Sequence, residues 1–363
     1  MYALLATSQN KQKKYTEAEE TCLTGLNLPN ISNHQKANLH IALAMSQNEQ
    51  RKCAEAEETC LKVLDLPNLS NNQKVNLYIA LVSSQSNQTK YAEAEVTCLK
   101  LLEFPDLMNT QKAQWYVSLA TSQNNQKKYT KAEETCLKVL EFPDLSNVLK
   151  ADLYSKLAFS QNGQTRYAEA EATCLTALDL LDLPNARKVD LYIELARSQN
   201  QQKKYGEAEK TCAKALDLPD CSLRNAIIQI YLAHSQNNQE RYKDAEQTCK
   251  QALQLSNSNF TFGCSFHGLS NVNKKIGNTS KAFVYNIMAL NHLMPLSDSI
   301  TRQEALSDYR AHVSHEKITQ KSHEEISQKL TALFSTIKDT GLTEEEIWQA
   351  IVALTKIRDF NFS

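Results

Sequence analysis

The stretch YAEAEVTCLKLLEFPDL, beginning at Tyr91, returns as YTKAEETCLKVLEFPDL at Tyr129 and as YAEAEATCLTALDLLDL at Tyr167. Its cysteine keeps the beat. Cys22, Cys60, Cys98, Cys136, Cys174 and Cys212 stand 38 residues apart, and Cys249 follows after 37. Upstream of each copy runs a second recurring block, such as VNLYIALVSSQSNQTK before Tyr91 and VDLYIELARSQNQQKK before Tyr205. A fixed period of this size implies stacked supersecondary units that lean on their neighbours, not one central core.

Each unit reads as two helices. In the first block Tyr78, Leu81 and Val82 fall at i, i+3 and i+4, a single apolar stripe. In the second, Ala94, Cys98, Leu101 and Leu102 do the same. Ser32 with Gln35, and Ser70 with Gln73, have the spacing of capping boxes that open the first helix. Pro105 and Pro143, beside Asp106 and Asp144, stop the second. Before the second helix every unit carries a cation: Lys14, Lys52, Lys90, Lys128, Arg166, Lys204 and Arg241. Acidic residues follow at once, as in Glu17, Glu19 and Glu20. Cations at one helix end and anions at the next helix start both suit the macrodipole.

The pattern resembles the tetratricopeptide repeat (TPR). Tyr192, Leu195, Ala196, Tyr205, Ala208, Ala215 and Leu216 fall on that family's spacing, and six other units repeat most of them. The small residue of the second helix is Ala18, Ala56, Ala94, Ala132, Ala170, Ala208 and Ala245. The unit departs from the family in being 38 rather than 34 residues long, and in placing Lys13, Thr89 or Glu240 where a turn glycine is usual. The "QNQxKYxEAE" flavour is similar to the repeats of kinesin-light-chain-like proteins. The resemblance implies an all-α chain, an α-solenoid (right-handed superhelix) of TPR-like helix pairs with a C-terminal helical cap.

Residues 1–296 are expected to form the solenoid, with seven clear units and a degenerate eighth over about 263–295, marked by Leu269, Gly277, Ala282, Ala289 and Leu290. The chain starts inside the first helix of its first unit. Residues 297–363 lack the repeat and read as three helices covering the last apolar face. The final one opens at Thr343 with Glu346 and buries Ile347, Ile351, Leu354 and Ile357.

Composition removes several function classes. A net charge of −1, from 40 basic and 41 acidic residues, supplies no field that would pull the chain onto nucleic acid or an anionic membrane. At 42% hydrophobic and 22% charged it is too apolar for a disordered chain and too polar for a membrane protein. Apolar runs are a few residues long, so membrane insertion is not expected. Ten cysteines without a secretory leader suggest reduced thiols and a cytoplasmic location.

Neither metal nor cofactor is expected. Equivalent cysteines on adjacent units lie about 8–10 Å apart, beyond the ~7 Å that a disulfide tolerates. They read as small buried hydrophobes. Cys53, Cys221 and Cys264 break the period and are the candidates for exposed thiols. His312, His315 and His323 beside Glu316, Glu324 and Glu325 lack a metal signature and read as a solvated helix face. No GxGxxG, P-loop, GxSxG or HExxH string occurs. No catalytic residue is therefore assigned; an enzyme sited in the tail is the least supported reading.

The informative positions are those where near-identical units disagree. The TPR resemblance places one first-helix position on the concave, peptide-holding face. It is Thr7, Met45, Ser83, Thr121, Phe159, Arg197 and His234 in successive units. Four residues earlier, on the same helical face, stand Ala3, Ile41, Ile79, Val117, Ser155, Ile193 and Ile230. Next along runs a polar ladder: Asn10, Asn48, Ser86, Asn124, Asn162, Asn200 and Asn237. A carboxamide both donates and accepts, which suits gripping an extended peptide backbone, and equally suits C-terminal helix capping. The first reading predicts that replacing ladder asparagines weakens partner binding without altering melting. Gln9, Gln47, Gln85, Gln123, Gln161, Gln199 and Gln236 are expected to bond within or between helices. Arg197 is the one cation of the strip, so a carboxylate clamp for chaperone C-termini is not present.

These features describe a non-enzymatic adaptor that binds a peptide segment or helix of another protein. A second reading uses the same groove in a translocated bacterial effector or secretion chaperone, delivered into a host cell without a signal peptide. Repeat near-identity and Glu344, Glu345 and Glu346 near the terminus are compatible with it.

Overall fold

The computed structural model describes residues 1–105, 107–219, 224–256, 258–293, 301 and 303–308. The tail residues singled out above, from His312 to Glu346 and beyond, lie outside the described residues, as do Cys221, Asp106 and the expected boundary at 296/297. The chain divides into two units, Met1–Leu183 and Pro184–Ser363. In the first, odd-numbered helices are the first of each pair: α1 (Tyr2–Lys11), α3 (Asn33–Glu49), α5 (Asn71–Asn87), α7 (Asn109–Asn125) and α9 (Asn147–Gly163). Their partners are α2 (Tyr15–Leu26), α4 (Cys53–Leu64), α6 (Tyr91–Leu102), α8 (Tyr129–Leu140) and α10 (Tyr167–Leu178). The second unit continues the same alternation with α11 (Asn185–Gln201), α12 (Tyr205–Leu216), α13 (Asn225–Asn238), α14 (Tyr242–Leu255), α15 (Asn259–Lys275) and α16 (Thr279–Leu293). The described residues contain no strand. The degenerate eighth pair starts at Asn259, a turn earlier than its weak motif indicates.

Local chemistry sets the helix limits. Ser32 and Ser70 form the expected capping boxes, each accepting from the amide three residues on while Gln35 or Gln73 reaches back. The Gln73 carboxamide also donates to the His34 carbonyl at 2.9 Å, tying one unit to the last. At the tight turn between paired helices, Lys13, Arg51, Thr89, Lys127, Thr165, Lys203 and Glu240 all adopt φ near +60°. They do this where the family uses glycine, and the amide beyond each turn is satisfied, as Lys90 shows by donating to Gln85 O at 2.8 Å. Gly277 takes the same place in the last pair with φ +81°.

Between helices the core is made of small residues. Around α7–α9 it comprises Ala113, Ala120, Ala132, Cys136, Val139, Leu153 and Leu157. Full burial of a side chain such as Val139 or Leu153 contributes about 1.5–3 kcal/mol, so each layer is modest and the array depends on repetition. The core of α15–α16 is larger, with Phe266, Phe283, Tyr285, Met288 and Leu293. Ala305 and Leu306, from the helical segment 303–308, cover part of it.

Candidate functional site

The asparagine ladder lies in a seam between units. Asn10 donates to the Ala42 carbonyl at 2.9 Å, Asn48 to Ala80 at 2.9 Å and Asn124 to Lys156 at 3.0 Å. In the second unit Asn200 donates to Tyr231 at 3.1 Å. Each carboxamide oxygen accepts in return from a serine of the same neighbouring helix: Ser46, Ser84, Ser160 and Ser235, at 2.8–2.9 Å. Asn48, Asn124, Asn162 and Asn200 are buried. An amide that donates to the neighbouring helix, accepts from it and is buried there, as Asn48, Asn124 and Asn200 are, is turned into the seam. The ladder expected to grip a peptide instead fastens adjacent first helices together. Asn237, at the end of the series, leaves its Oδ1 without a partner among the described residues, because Val272 stands where the serine would be.

A second seam is ionic. Lys52 reaches Glu19 at 2.8 Å, Lys90 reaches Glu57 at 2.6 Å and Lys128 reaches Glu95 at 2.7 Å. Arg166 and Arg241 pair likewise with Glu133 and Glu209, both at 2.6 Å. The turn cations therefore bind the preceding unit's second helix as well as marking a helix start. Glu57 also accepts from Gln88 at 2.8 Å, and Glu95 from Gln126 at 2.8 Å. Burial alone would raise both carboxyls. The hydrogen bonds from Lys90 and Gln88, and from Lys128 and Gln126, with the lysine charges, outweigh it and hold both below the usual carboxylate range. From Gln47 to Gln236 the glutamine series behaves as expected, accepting within its own pair: Thr97 donates to Gln85 at 2.8 Å and Thr135 to Gln123 at 2.9 Å, whereas Gln9 Oε1 has no partner among the described residues.

With these polar groups committed, the variable strip stands apart on the first-helix faces. Met45 is 48% exposed, Ser83 and His234 are exposed, and Thr121, Phe159 and Arg197 are half-buried. Four residues earlier Ile41, Ile79, Val117 and Ile193 are half-buried, while Ser155 is buried. Two strip residues rest on the tyrosine that opens the previous second helix: Phe159 on Tyr129 and His234 on Tyr205, both at 6.5 Å between ring centroids. Gly163 makes room for the Tyr129 ring, since a Cβ there would lie 2.5 Å from it. Arg197 pairs with Glu194 one turn back at 3.6 Å.

No protein-family model matches this sequence, and no curated protein matches it. Solved structures do. The chain superposes on RapI in its apo form with a TM-score of 0.53, at 13% identity, covering 99% of this chain and 98% of that one. A tetratricopeptide repeat protein from Parabacteroides merdae gives 0.60 at 15% identity, over 75% and 97%. NprR in complex with its cognate peptide NprX gives 0.52 at 13% identity, over 98% and 97%. The chain has the TPR fold.

Within a TPR array the periodic cysteines occupy core positions. Cys22, Cys60, Cys98, Cys136, Cys174, Cys212 and Cys249 are buried and not joined in disulfides, and burial pushes thiols such as Cys60 and Cys98 up to about 12. Cys53 and Cys264 are buried as well, against the expectation of exposure, and burial pushes the Cys264 thiol too up to about 12. Among the described residues no three His, Cys, Asp or Glu side chains gather as a metal site. No described helix is long and apolar enough to cross a membrane. The seam serines went unread in the sequence although their signal was there. Ser46, Ser84, Ser122, Ser160, Ser198 and Ser235 keep register with the ladder and mark it as one half of a pair.

Proposed function

We propose that this chain is a non-enzymatic interaction scaffold that holds a peptide segment or helix of another protein on its first-helix strip residues, Met45, Thr121 and Phe159 in the first unit and Arg197 and His234 in the second. One observation carries the reading. On the first-helix faces the seam residues are committed to neighbouring helices, while the strip presents thioether, hydroxyl and aromatic groups in the first unit and guanidinium and imidazole groups in the second. Such a sequence of unlike groups reads unlike side chains of a ligand, and the stack underneath stays the same. The fold likeness to NprR, solved with a cognate peptide, agrees with peptide recognition on this scaffold. The ladder asparagines Asn10, Asn48, Asn124 and Asn200 support the strip by holding helix spacing and do not touch the ligand.

The test is selection of peptides from a displayed random library on the intact protein. The enriched peptides are then measured against a variant carrying Met45→Ala, Phe159→Ala and Arg197→Ala. The reading requires that affinity fall by at least about tenfold, or ~1.4 kcal/mol, with unchanged helicity. Equal binding to the variant removes the strip from the site.

A further inference from the structure

The residue after each periodic cysteine is Leu23, Leu61, Leu99, Leu137 and Leu175 in the first unit, each 47–48% exposed. In the second unit the same position holds Ala213 and Lys250. Single exposed leucines need no explanation; five in register on successive second helices do. Between α4 and α6 the series opens into a groove of about 620 Å³, floored by Tyr78 and Leu81 of α5 and walled by Leu61, Leu64 and Val96. Val96 is 52% exposed, and it stands where other units place Glu20, Glu58 and Glu134. Of the polar groups on the groove lining, Thr97 and Gln85 bond each other at 2.8 Å, so an apolar occupant strands neither, while Asp65, Glu93 and Lys100 keep their charges in solvent.

Charge says what that occupant is. The spans Lys52–Asp65 and Lys90–Glu103 carry seven acidic residues against four basic ones. Three of the four, Lys52, Lys62 and Lys90, are held in ion pairs with Glu19, Glu58 and Glu57. Asp65 and Glu93 line the groove and face solvent, with Lys100 the one cation on its lining. A trough walled by leucine and valine, with two carboxylates against one lysine at its rim, complements a ligand that is apolar on one face and cationic on its flanks. The walls are helices whose backbone groups are bonded internally, so they offer no edge to an extended strand. Each wall is 12 residues long, about 18 Å, which suits some three turns of a guest helix. We propose that the groove between α4 and α6 seats a basic amphipathic helix of a partner protein, at a site separate from the first-helix strip.

The test uses the intact chain and a fluorescent helical peptide of about twelve residues, built of leucine on one face and lysine on the other. Saturable binding is expected, and Val96→Glu should weaken it by about tenfold or more. The sign of that change is diagnostic. The substitution adds negative charge, so attraction to a merely acidic surface would strengthen instead. Glutamate occupies this position in three other units, so the variant is expected to fold, and circular dichroism checks it. Leu61→Gln should act in the same direction, and Phe159→Ala should leave this peptide's affinity unchanged even if it abolishes binding at the strip. Four outcomes overturn the proposal: no binding to the intact chain, equal or tighter binding by Val96→Glu, equal binding of a leucine–glutamate peptide, or self-association of the chain in sedimentation that Val96→Glu abolishes.

Discussion

Pairs α3–α4 through α9–α10 bury alanine, cysteine and leucine, and they are stitched at every described junction but one by Asn–Ser and Lys/Arg–Glu–Gln contacts. The pair α15–α16 buries Phe266, Phe283, Tyr285 and Met288 and, among the described contacts, keeps of the stitching only a longer ion pair, Lys281 to Glu246 of α14 at 3.6 Å. In register with the seam it carries Val272 for serine, Lys274 for asparagine, Ile276 for glutamine and Asn278 for the turn cation. The difference teaches how a thin-cored array is held. Small residues let the helices approach closely but bury little area per layer, so directional bonds fix the spacing. Where aromatics fill the layer, area suffices and the polar register lapses.

The largest way to break this contrast is Tyr285→Ala. Tyr285 is among the largest fully buried side chains, and its truncation should cost about 3–5 kcal/mol, whereas Cys136→Ala removes a single sulfur and should cost about 1 kcal/mol or less. Hydrogen exchange followed by mass spectrometry should show Tyr285→Ala unprotecting α15 and α16 while α3 to α8 hold. Uniform loss along the chain would mean that the closing pair nucleates the whole array.

Asn124→Ala comes next. It removes the links from Asn124 to the Lys156 carbonyl and the Ser160 hydroxyl, which keep each other as partners at 2.8 Å, at about 0.5–1.5 kcal/mol. A lowered urea midpoint, with faster exchange in α7 and α9, is expected. Binding of strip-selected peptides should not change until the array loosens. This reverses what the ladder suggests in sequence, where the same substitution would spare stability and harm binding.

Acid should loosen the ionic seam next. The Glu57 and Glu95 carboxyls are lower in the folded chain than in the unfolded one. Their stabilisation is therefore in place above the ordinary carboxylate range and drains as pH falls through the lowered folded values. Helices α15 and α16 contain no acidic residue and meet this seam only through Lys281, 3.6 Å from Glu246 of α14. Urea midpoints at neutral pH and at about pH 4 should differ less in a Glu57→Gln, Glu95→Gln variant than in the parent, although the variant starts lower. An identical pH response in both would place the acid sensitivity elsewhere.

The helix pairs were legible because periodicity constrains every unit at once: Ala94, Cys98 and Leu101 recur on one face whatever surrounds them. The glutamines were legible for a similar reason, since each has a threonine twelve residues on. The ladder was not. Within one unit Asn124 has two sound readings, a helix cap or an exposed amide, and its true partners lie 32 and 36 residues away. Only the joint register of asparagine and serine distinguishes a seam from a ligand-facing row. Cys53 and Cys264 misled in the same way. Breaking the period says nothing about exposure, because each fills a layer that its own neighbours define.

One junction within the first unit lacks the asparagine and offers a way to sharpen the comparison. At Ser86 the ladder is too short to cross, and Ser122, the serine that would donate to it, instead bonds its own helix at Ser118 O, 3.0 Å away. Ser86→Asn should restore both links, the new amide donating to the Ser118 carbonyl and accepting from Ser122. The gain expected is about 0.5–1.5 kcal/mol, read as a raised urea midpoint with slower exchange in α5 and α7. The position is half-buried, so an amide that failed to reach its partners would be desolvated without compensation and would destabilise instead. The sign of this one substitution therefore reports whether α5 and α7 sit at the spacing the other junctions share, and so whether the seam sets that spacing or merely fits it.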